Sequence, residues 1–520
     1  MTLSEIVARH AADRGDAPAY MTADDRITWS EYDRWADALA AELRVVPGGP
    51  GDRIAVLLAD GPAVHVAFLA VERAGRVIVG IGPRAGDREV EHLVGLTGAQ
   101  VLVADADRAP LADRLGLTRV DPTPARGASL SVGIADADAQ VRTSTVGESD
   151  LWLLNSTSGT TGLPKCVMHD QRRWFAFHEL AVAAADLSPG DVCMSLLPAP
   201  FGFGIWTGHV TPTLLGSPTV VMPRFDAADA LALIEREGVT VLAAVSTQFV
   251  MLLNSPALDE YDCTSLRVLF TGGEMVPYAR AAEFEERTGC TVLQFYGSNE
   301  TGALSNTSLA DTRERRLRTA GRVIPEMQVR LLDDDGADVT ATGGPGIAAC
   351  RGRVNCLGYY GDPDANARLY TADGWMLTGD YCTIDDEGYL TVAGRASDFI
   401  IRGGKNISAA QVEDEVSTHP SVALAAAVAM PDPVFGERVC VYVELRPGAS
   451  EPDLDAIRAH LDDRGVGKEL WPERVVAVDA IPRSSGGKVA KGELRDDIAA
   501  RLATEQAPVQ EHEYEQEGSG

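Results

Sequence analysis

The chain has 520 residues, 45% of them hydrophobic, so it can bury more than one core and we expect at least two domains. Its formal net charge of −30 argues against nucleic acid and anionic membrane surfaces as partners, because both would repel it. Eight cysteines occur without a CxxC pair, which argues against a zinc site or a disulfide framework and favours a reducing, cytoplasmic compartment.

Short apolar runs alternate with longer helical segments between about Ile27 and Glu326. The predicted strands are Ile54–Leu58, Val77–Ile81, Val101–Val103, Leu151–Leu154, Thr219–Met222, Val239–Ala244, Val268–Phe270 and Val292–Phe295. The predicted helices include Trp29–Leu43, Gly61–Ala74 and Arg172–Ala185. This alternation is typical of parallel sheets covered by helices on both faces, so it predicts an α/β fold.

One uncharged run, Val192–Pro223, is long enough to cross a bilayer. It contains Pro198, Pro200, Pro212, Pro218 and several glycines, which would break the helical hydrogen bonds that lipid requires. We therefore expect a buried, loop-rich segment and no membrane insertion. The N-terminal residues also lack the basic start and apolar core of a signal peptide.

The pattern changes after Met327 to short strands with turn signals, which predicts a small β-rich subdomain. Beyond Gly394–Arg395 a compact α+β unit follows. Its predicted parts are the strands Phe399–Arg402 and Arg474–Val478, the apolar runs Val422–Val428 and Arg438–Leu445, and the helices Ala409–Ser417 and Asp453–Asp463. We predict an N-terminal domain over 1–395, a mobile C-terminal domain over 396–503 with its hinge near Ala396–Ser397, and a disordered acidic tail over 504–520.

The stretch NSTSGTTGLPK, Asn155–Lys165, directly follows a predicted strand. Its hydroxyl donors are Ser156, Thr157, Ser158, Thr160 and Thr161. Gly159 and Gly162 let the backbone approach a ligand closely, and successive exposed amides form a nest for anions. Pro164 precedes Lys165, so the stretch is not a Walker A loop. A flexible linker is the alternative, but linkers rarely follow an apolar strand directly, so phosphate binding is favoured.

Two further glycine-containing loops follow predicted strands, FTGGEMVP at Phe270–Pro277 and QFYGSNETG at Gln294–Gly302. Ligands of α/β proteins bind at the carboxyl ends of such strands. Glu300 in the second loop offers carboxylate oxygens to Mg²⁺. Each loop alone also fits an ordinary strand-to-helix turn, but three of them together favour a binding site.

Three charged residues follow in the C-terminal part. One carboxylate, Asp380 in the turn of LTGD, can accept hydrogen bonds from both hydroxyls of a ribose. Arg395 precedes the predicted hinge and can pair with phosphate or ribose oxygens. Lys488 lies in the Gly/Ser-rich loop IPRSSGGK, and a mobile loop can deliver its charge into an active site. Taken singly, each also fits a solvated surface residue.

Five motifs occur in order along the chain: STSGTTGLPK, YGSNETG, TGD, a GR pair followed by RGGKNIS, and PRSSGGK. Together they resemble the adenylate-forming superfamily of acyl-CoA synthetases, firefly luciferases and peptide-synthetase adenylation domains. The resemblance extends from about Leu3 to Leu502. GIGPRAG at Gly80–Gly86 and RGGKNIS further resemble ligases of cyclic, alicyclic or aromatic acids.

The resemblance implies an α/β N-terminal domain of two parallel-rich αβαβα-type subdomains plus a small β-barrel-like subdomain, followed by a small α+β C-terminal domain. It also implies an acid–thiol ligase that uses ATP, Mg²⁺ and CoA. The acid attacks the α-phosphate of ATP to give acyl-AMP and pyrophosphate, and the CoA thiol then displaces AMP. Small molecules are therefore the expected partners, and a homodimer stays open.

Site residues are carried over from the same resemblance. The implied ATP-binding residues are Thr157, Ser158, Gly159, Thr160, Thr161, Gly162, Lys165, Gly272, Gly273, Glu274, Phe295, Tyr296, Gly297, Ser298, Asn299, Asp380, Arg395 and Lys488. Thr160 and Glu300 would position Mg²⁺, and together with Lys488 they are the implied catalytic residues. In the second half-reaction the C-terminal domain would rotate and withdraw Lys488 from the site. The same rotation would bring to the site the hinge and CoA face, which consists of Ser397, Arg402, Gly403 and Gly404.

The implied acid pocket consists of Phe201, Gly202, Phe203, Trp206, Ser246, Thr247, Gln248, Asn299 and Leu304. The glycine removes bulk and the aromatic residues offer flat apolar walls, which favours a bulky cyclic, aromatic or polycyclic acid over a long linear one. A core-packing role for the aromatic residues is equally open.

The chain departs from the family pattern at four positions. Cys166 follows the first lysine where glycine is common, Phe201 replaces a common histidine, Ile347 replaces an acidic residue, and the hinge residue is Ser397. The last two concern thioester formation rather than adenylation. One alternative is an enzyme that passes acyl-AMP to a carrier-protein thiol or a separate transferase. Another is a non-catalytic nucleotide-binding regulator, against which the joint presence of Lys488, Glu300 and Asp380 argues.

Overall fold

The structure of the chain, a computed structural model, describes residues 1–126, 146–157, 164–483 and 488–506. The chain divides into two compact units. The larger unit contains Met1–Ser397, Arg446–Gly448 and Arg483–Val489, and the smaller one contains Asp398–Leu445, Ala449–Pro482 and the residues from Ala490 onward. The first boundary thus falls two residues beyond the predicted one at 395, and two short later segments join the larger unit.

A sheet of nine strands, counted over the described residues, runs through the larger unit. From edge to edge its strands are Arg322–Val323, Gly302–Asn306, Thr291–Ser298, Val268–Gly272, Val241–Ala243, Cys193–Ser195, Thr219–Val220, Pro18–Met21 and Arg26–Thr28. The six central strands are parallel, whereas the strands at both edges are antiparallel. The loops that follow Val268–Gly272 and Thr291–Ser298 therefore emerge side by side.

A second sheet of the larger unit has six strands within the described ranges. In spatial order they are Thr118–Val120, Val101–Ala104, Arg53–Leu57, Val77–Gly80, Leu153–Ser156 and Cys166–His169. All neighbours are parallel except the last two strands, which form an antiparallel hairpin. The hydroxyl- and glycine-rich stretch thus joins the two strands of a hairpin.

Antiparallel sheets follow in the C-terminal part of the chain. The β-rich subdomain predicted after Met327 has the strands Met327–Leu332, Gly346–Gly352, Met376–Ile384 and Leu390–Arg395. The smaller unit has the strands Lys405–Ser408, Phe399–Arg402, Gly436–Leu445 and Val422–Asp432 in spatial order. A fifth strand, Arg474–Ala477, pairs in parallel with Gly436–Leu445. The predicted fold, a large α/β domain followed by a small α+β domain, is confirmed.

Helices cover these sheets. Those of the larger unit include Leu3–Arg14, Trp29–Val45, Pro62–Arg73, Asp87–Thr97, Ala109–Leu115, Gln171–Ala185, Ala227–Glu237, Ser246–Asn254, Tyr278–Thr288, Arg313–Arg318 and Pro363–Leu369. Those of the smaller unit are Ala409–Val416, Leu454–Asp463 and Lys491–Gln506. The last helix includes residues 504–506, so the predicted start of the acidic tail at 504 is wrong by three residues. Residues 507–520 lie outside the described part of the chain.

The uncharged run Val192–Pro223 is more helical than predicted. An uninterrupted helical stretch runs from Gly202 to Leu215, and its centre, Ile205–Val210, is a π-helix. Pro212 has no N–H to donate to the carbonyl of Gly208, and the hydroxyl of Tyr20 donates to this carbonyl at 3.3 Å. Tertiary contacts therefore stabilise a helix that the prolines argued against. Among the described residues no helix is both long and apolar enough to span a bilayer.

One buried histidine, His209, belongs to this π-helix, and a second, His65, lies against it. The Nδ1 atoms of His65 and His209 are 3.2 Å apart, and the ring of Tyr20 stacks on His65 with centroids 4.3 Å apart. One ring must donate and the other accept across this contact, so at least the accepting ring is neutral. Burial lowers the pKa of both histidines, and that of His209 falls to about 3.

We expect the free energy of unfolding to fall as the pH drops below about 6.5, because unfolded histidine binds a proton there and the folded pair does not. Each histidine contributes a slope of up to about 1.4 kcal/mol per pH unit. Urea unfolding midpoints measured between about pH 7.5 and 5 test this, since most carboxylates titrate below that window. A midpoint that stays constant over the window would contradict the neutral pair.

Candidate functional site

The base of the predicted phosphate loop is closed by hydrogen bonds between its two ends. The amide of Thr157 donates to the carbonyl of Lys165 at 3.0 Å, and the amide of Lys165 donates to Oγ1 of Thr157 at 3.3 Å. The predicted phosphate ligands between them, Ser158, Gly159, Thr160, Thr161 and Gly162, lie outside the described residues. The amine of Lys165 lies 4.8 Å from the ring centroid of Tyr359.

Tyr359 also contacts the predicted magnesium ligand. Its hydroxyl donates to Oε1 of Glu300 at 2.8 Å, and its amide donates to the Asn366 side chain at 2.7 Å. Sequence reasoning missed Tyr359, and the signal that points to it is the turn GYYGDP, in which a buried aromatic residue follows a glycine. Tyr359 thus connects the carboxylate of Glu300 with the cation of Lys165.

The described part of the site fits a Mg²⁺ ion held by one carboxylate together with substrate phosphates, rather than an ion held by protein ligands alone. In the described part of the chain, no cluster of three or more His, Cys, Asp or Glu residues is arranged to hold a metal. Mg²⁺ commonly uses one or two carboxylates together with substrate phosphates and water. Tyr359 contacts one oxygen of Glu300, so the carboxylate can offer its other oxygen to the ion.

Replacing Tyr359 with phenylalanine should weaken Mg²⁺-dependent ATP binding by roughly tenfold, because the carboxylate of Glu300 loses the donor that orients it. Calorimetric titration of ATP with and without Mg²⁺ measures this directly. Tyr360→Phe removes a hydroxyl from the neighbouring residue and serves as the control. Equal affinities for wild type and Tyr359→Phe in the presence of Mg²⁺ would show that the hydroxyl is dispensable.

The predicted ribose ligands face each other on neighbouring strands. Asp380 pairs in register with Arg395, whose Nε lies 3.2 Å from Oδ1 of the carboxylate. The hydroxyl of Tyr296 donates to Oδ2 at 2.9 Å, and burial raises the pKa of Tyr296, so this hydroxyl keeps its proton. Asp380 is thereby held in one orientation.

The two glycine-containing loops predicted at Phe270–Pro277 and Gln294–Gly302 pack backbone to backbone. A Cβ atom on Gly272 of the first loop would lie 2.2 Å from the carbonyl oxygen of Phe295 in the second. Within the second loop, a Cβ atom on Gly297 would lie 1.7 Å from the carbonyl oxygen of Gly302. Only glycine fits at either position without moving the backbone. The closely packed loops form one continuous wall.

Lys488 lies against this wall. Its Nζ is 3.2 Å from the point where a Cβ of Gly273 would stand, and Gly273 has a φ of +80°. Burial lowers the pKa of Lys488, whereas the negative charge of Glu274 is the largest influence in the opposite direction. Charges on Glu300 and Asp380 also act on this amine. The structure therefore brings together these predicted residues, which are far apart in sequence.

Several residues of the predicted acid pocket form hydrogen bonds with other groups of the protein. Oγ1 and the amide of Thr247 both lie 3.0 Å from Oε1 of Glu274, which accepts from them. The hydroxyl of Ser246 donates to the carbonyl of Met275 at 3.1 Å, and the side-chain amide of Gln248 donates to the carbonyl of Leu196 at 2.6 Å. These three residues support the walls of the site.

The predicted aromatic walls divide into core and accessible residues. Trp206 is 2% exposed and stacks on Phe270 with an interplanar angle of 2°. Leu304 is fully buried, so protein side chains cover both. Phe201, Gly202 and Phe203 stay half-buried. The core-packing role that the sequence left open therefore fits Trp206, whereas the two phenylalanines can face a ligand.

The predicted CoA-face residues belong to the smaller unit, except Ser397, which is the last residue of the first segment of the larger one. Arg402 ends the strand Phe399–Arg402, forms an ion pair with Glu473 and donates to the carbonyl of Glu469 at 2.8 Å. The amide of Gly403 donates to the carbonyl of Phe435 at 2.9 Å, and Gly404 continues the same turn. Arg402 thus has a structural role inside this unit.

Residues 7–360 match the AMP-binding enzyme family, and residues 411–488 match the C-terminal domain of AMP-binding enzymes. A medium-chain fatty-acid–CoA ligase of Escherichia coli K12 is 31% identical over 91% of this chain and 86% of its own length. A feruloyl-CoA synthase of Amycolatopsis sp is 33% identical over 90% and 93%. The crystal structure of an anthranilate CoA ligase with anthranoyl-AMP superposes with a TM-score of 0.87, at 22% identity, over 97% of this chain and 98% of the other.

Proposed function

Because the chain belongs to the AMP-binding enzyme family and is an acid–thiol ligase of the AMP-forming type, we propose that its acid is a bulky ring-containing one and its thiol is CoA. The observation that carries the adenylation step of this proposal is the position of Lys488 beside Gly273, where Glu274, Glu300 and Asp380 act on its amine. A cation placed among the residues that would bind the nucleotide can stabilise charge that builds on the reacting oxygens.

In the first half-reaction a carboxylate oxygen of the acid attacks the α-phosphorus of ATP. The bond to the bridging oxygen breaks and pyrophosphate leaves with its electron pair, which gives acyl-AMP. Asp380, held by Tyr296 and Arg395, would accept hydrogen bonds from the ribose. Lys488 would contact the acid and α-phosphate oxygens. Mg²⁺, held by Glu300 and the phosphates, would neutralise charge on the leaving group.

In the second half-reaction the sulfur of CoA attacks the acyl carbon. The bond from this carbon to the AMP oxygen breaks, AMP leaves, and the thiol proton passes to solvent. The same site has to release Lys488 before the thiol can approach. Lys488 lies between two segments of the smaller unit, Ala449–Pro482 and the residues after Val489, which is the reason to propose that movement of this unit after Ser397 withdraws the lysine. Residue 397 ends the first segment of the larger unit, and this position supports a hinge there.

The preference for a ring-containing acid is supported by the accessible residues of the predicted pocket. Phe201 and Phe203 offer half-buried flat surfaces beside Gly202. A relative of 33% identity is a feruloyl-CoA synthase, whose product carries an aromatic ring. The fatty-acid–CoA ligase relative supports the opposite preference, so linear acids belong in the test.

Pyrophosphate release, measured with octanoate, ferulate, cyclohexanecarboxylate and a naphthoate, tests the proposal. We expect release to require ATP, Mg²⁺ and acid, to be fastest with a cyclic acid, and to yield a CoA thioester when CoA is present. Accumulation of acyl-AMP without a thioester would favour transfer to a carrier-protein thiol or to a separate transferase. No acid-dependent release with any acid would favour the nucleotide-binding regulator.

A further inference from the structure

Asn155 and Asn299 form a reciprocal pair of side-chain amides. The Nδ2 of Asn155 donates to Oδ1 of Asn299 at 3.1 Å, and the Nδ2 of Asn299 donates to Oδ1 of Asn155 at 2.6 Å. They are 144 residues apart in sequence. Asn155 lies on the hairpin strand that leads into the phosphate loop, and Asn299 lies in the loop after the strand Thr291–Ser298. The pair therefore joins the six-stranded and the nine-stranded sheets of the larger unit.

Two further side chains extend this pair into a buried hydrogen-bond network. The Nε2 of His169 lies 2.7 Å from Oδ1 of Asn155, and Arg173 contacts the Nδ1 of the same histidine. A guanidinium only donates, so Nδ1 of His169 accepts, and Nε2 carries the hydrogen that goes to Asn155. Arg173 also donates to the carbonyl of Ser298 at 3.5 Å. Burial of His169 beside Arg173 lowers the pKa of the histidine, which keeps it neutral.

The same network contacts the segment Pro200–Gly202, which borders the predicted acid pocket. The Nδ2 of Asn155 donates to the carbonyl of Pro200 at 3.2 Å. A Cβ atom on Gly202 would lie 2.6 Å from Oδ1 of Asn299, so this glycine lets the amide pair approach the segment. Asn155 thus binds the segment that precedes Phe201, and Asn299 adjoins Glu300 in the nucleotide loop.

A purely structural role accounts poorly for this hydrogen-bond network. Asn155 and His169 are 0% exposed and Arg173 is 1% exposed. Burying amides, an imidazole and a guanidinium costs solvation, and apolar side chains of equal volume commonly stabilise a core at least as well. Directional hydrogen bonds, in contrast, fix the distance and orientation between segments, which apolar packing specifies less closely.

We propose that Asn155 and Asn299, braced by His169 and Arg173, are positioning residues that hold the acid segment Pro200–Gly202 at a fixed distance and orientation from the nucleotide loop Ser298–Glu300. Because both polar atoms of the Asn299 side chain are paired with Asn155, we assign Asn299 to this role in place of the direct ATP contact that the resemblance implied. The inference rests on the proposed adenylation activity. An attacking oxygen and a phosphorus that are misplaced by about 1 Å react on the order of 10²-fold more slowly. Loss of the network should therefore slow acyl-AMP formation more than it weakens the binding of ATP.

The test uses the full chain and the variants Asn155→Ala, Asn299→Ala and their combination. ATP–pyrophosphate exchange with the best acid of the four named above gives kcat and KM, and calorimetry gives the Kd of ATP without acid. We expect kcat to fall roughly 10- to 100-fold in each single variant, with the Kd of ATP within about threefold of wild type. The kcat of the double variant should lie within about threefold of that of the slower single variant, because both residues act through one hydrogen-bond network.

Gln294→Ala is the matched control. Gln294 lies on the strand that precedes Asn299, and its side-chain amide donates to the carbonyl of Arg316 at 2.7 Å, away from the two loops. It should lower the unfolding midpoint and leave kcat within about threefold of wild type. Asn299 is half-buried, so Asn299→Ala carries the test if Asn155→Ala proves unfolded.

Three results would overturn the inference. These are a kcat of the asparagine variants like that of Gln294→Ala, a loss of ATP affinity as large as the loss of kcat, or single effects that multiply in the double variant. Each of them leaves the proposed function intact, because wild type still exchanges pyrophosphate. A wild-type chain without acid-dependent exchange would end both proposals.

Discussion

Lys488→Ala should lose acyl-AMP formation by at least roughly 10²–10³-fold, because the cation that stabilises the reacting oxygens is removed. The same variant should convert supplied acyl-AMP and CoA to thioester at close to the wild-type rate. This difference follows from the proposed mechanism, in which the amine is needed only while negative charge builds between acid and α-phosphate. ATP–pyrophosphate exchange measures the first half-reaction, and thioester formation from synthetic acyl-AMP measures the second.

Lys468→Ala provides the control for the loss of a positive charge. Lys468 belongs to the smaller unit, and its amine lies 5.2 Å from the ring of Trp471. Neither half-reaction should change by more than about threefold, as is usual for an exposed charge. Equal losses of both half-reactions in Lys488→Ala would contradict a lysine that serves only adenylation and, with it, the proposed movement at the hinge.

Asp380→Ala should weaken ATP binding by roughly 10²-fold, because hydrogen bonds to a charged acceptor contribute about 1.5–3 kcal/mol each. The change also leaves the guanidinium of Arg395 and the hydroxyl of Tyr296 without their shared acceptor. Calorimetric titration with ATP and with 2′-deoxy-ATP separates recognition of the ribose from general disruption. Wild type should bind the deoxynucleotide at least about tenfold more weakly, whereas Asp380→Ala should bind both nucleotides alike.

Asp386→Ala removes an exposed carboxylate from the turn that follows the same strand and should bind both nucleotides as wild type does. If Asp380→Ala still distinguished the two nucleotides, another group would have to recognise the 2′-hydroxyl. The assignment of Asp380 to the ribose would then be wrong, although the remaining site could stand.

The sequence alone determined the fold class and the positions of most elements. Apolar periodicity placed the strands Val268–Gly272 and Gly436–Leu445 to within two residues, because burial on a sheet selects apolar residues locally. It also predicted which loops could bind a ligand, since glycines and hydroxyls after a strand can be recognised without knowing the neighbours of that strand. Family membership, which follows from the order of five short motifs, belongs to the same kind of local information.

The tertiary structure decided which side chains meet. The bond from Tyr359 to Glu300 and the pair formed by Asn155 and Asn299 join residues 59 and 144 positions apart. Their contacts depend on the order of strands in two different sheets, which no local pattern encodes. Packing likewise made Trp206 a core residue and turned the proline-containing segment Gly202–Leu215 into a helix. The physical reason is the same in each case: burial and hydrogen-bond partners are properties of the assembled fold and not of the segment.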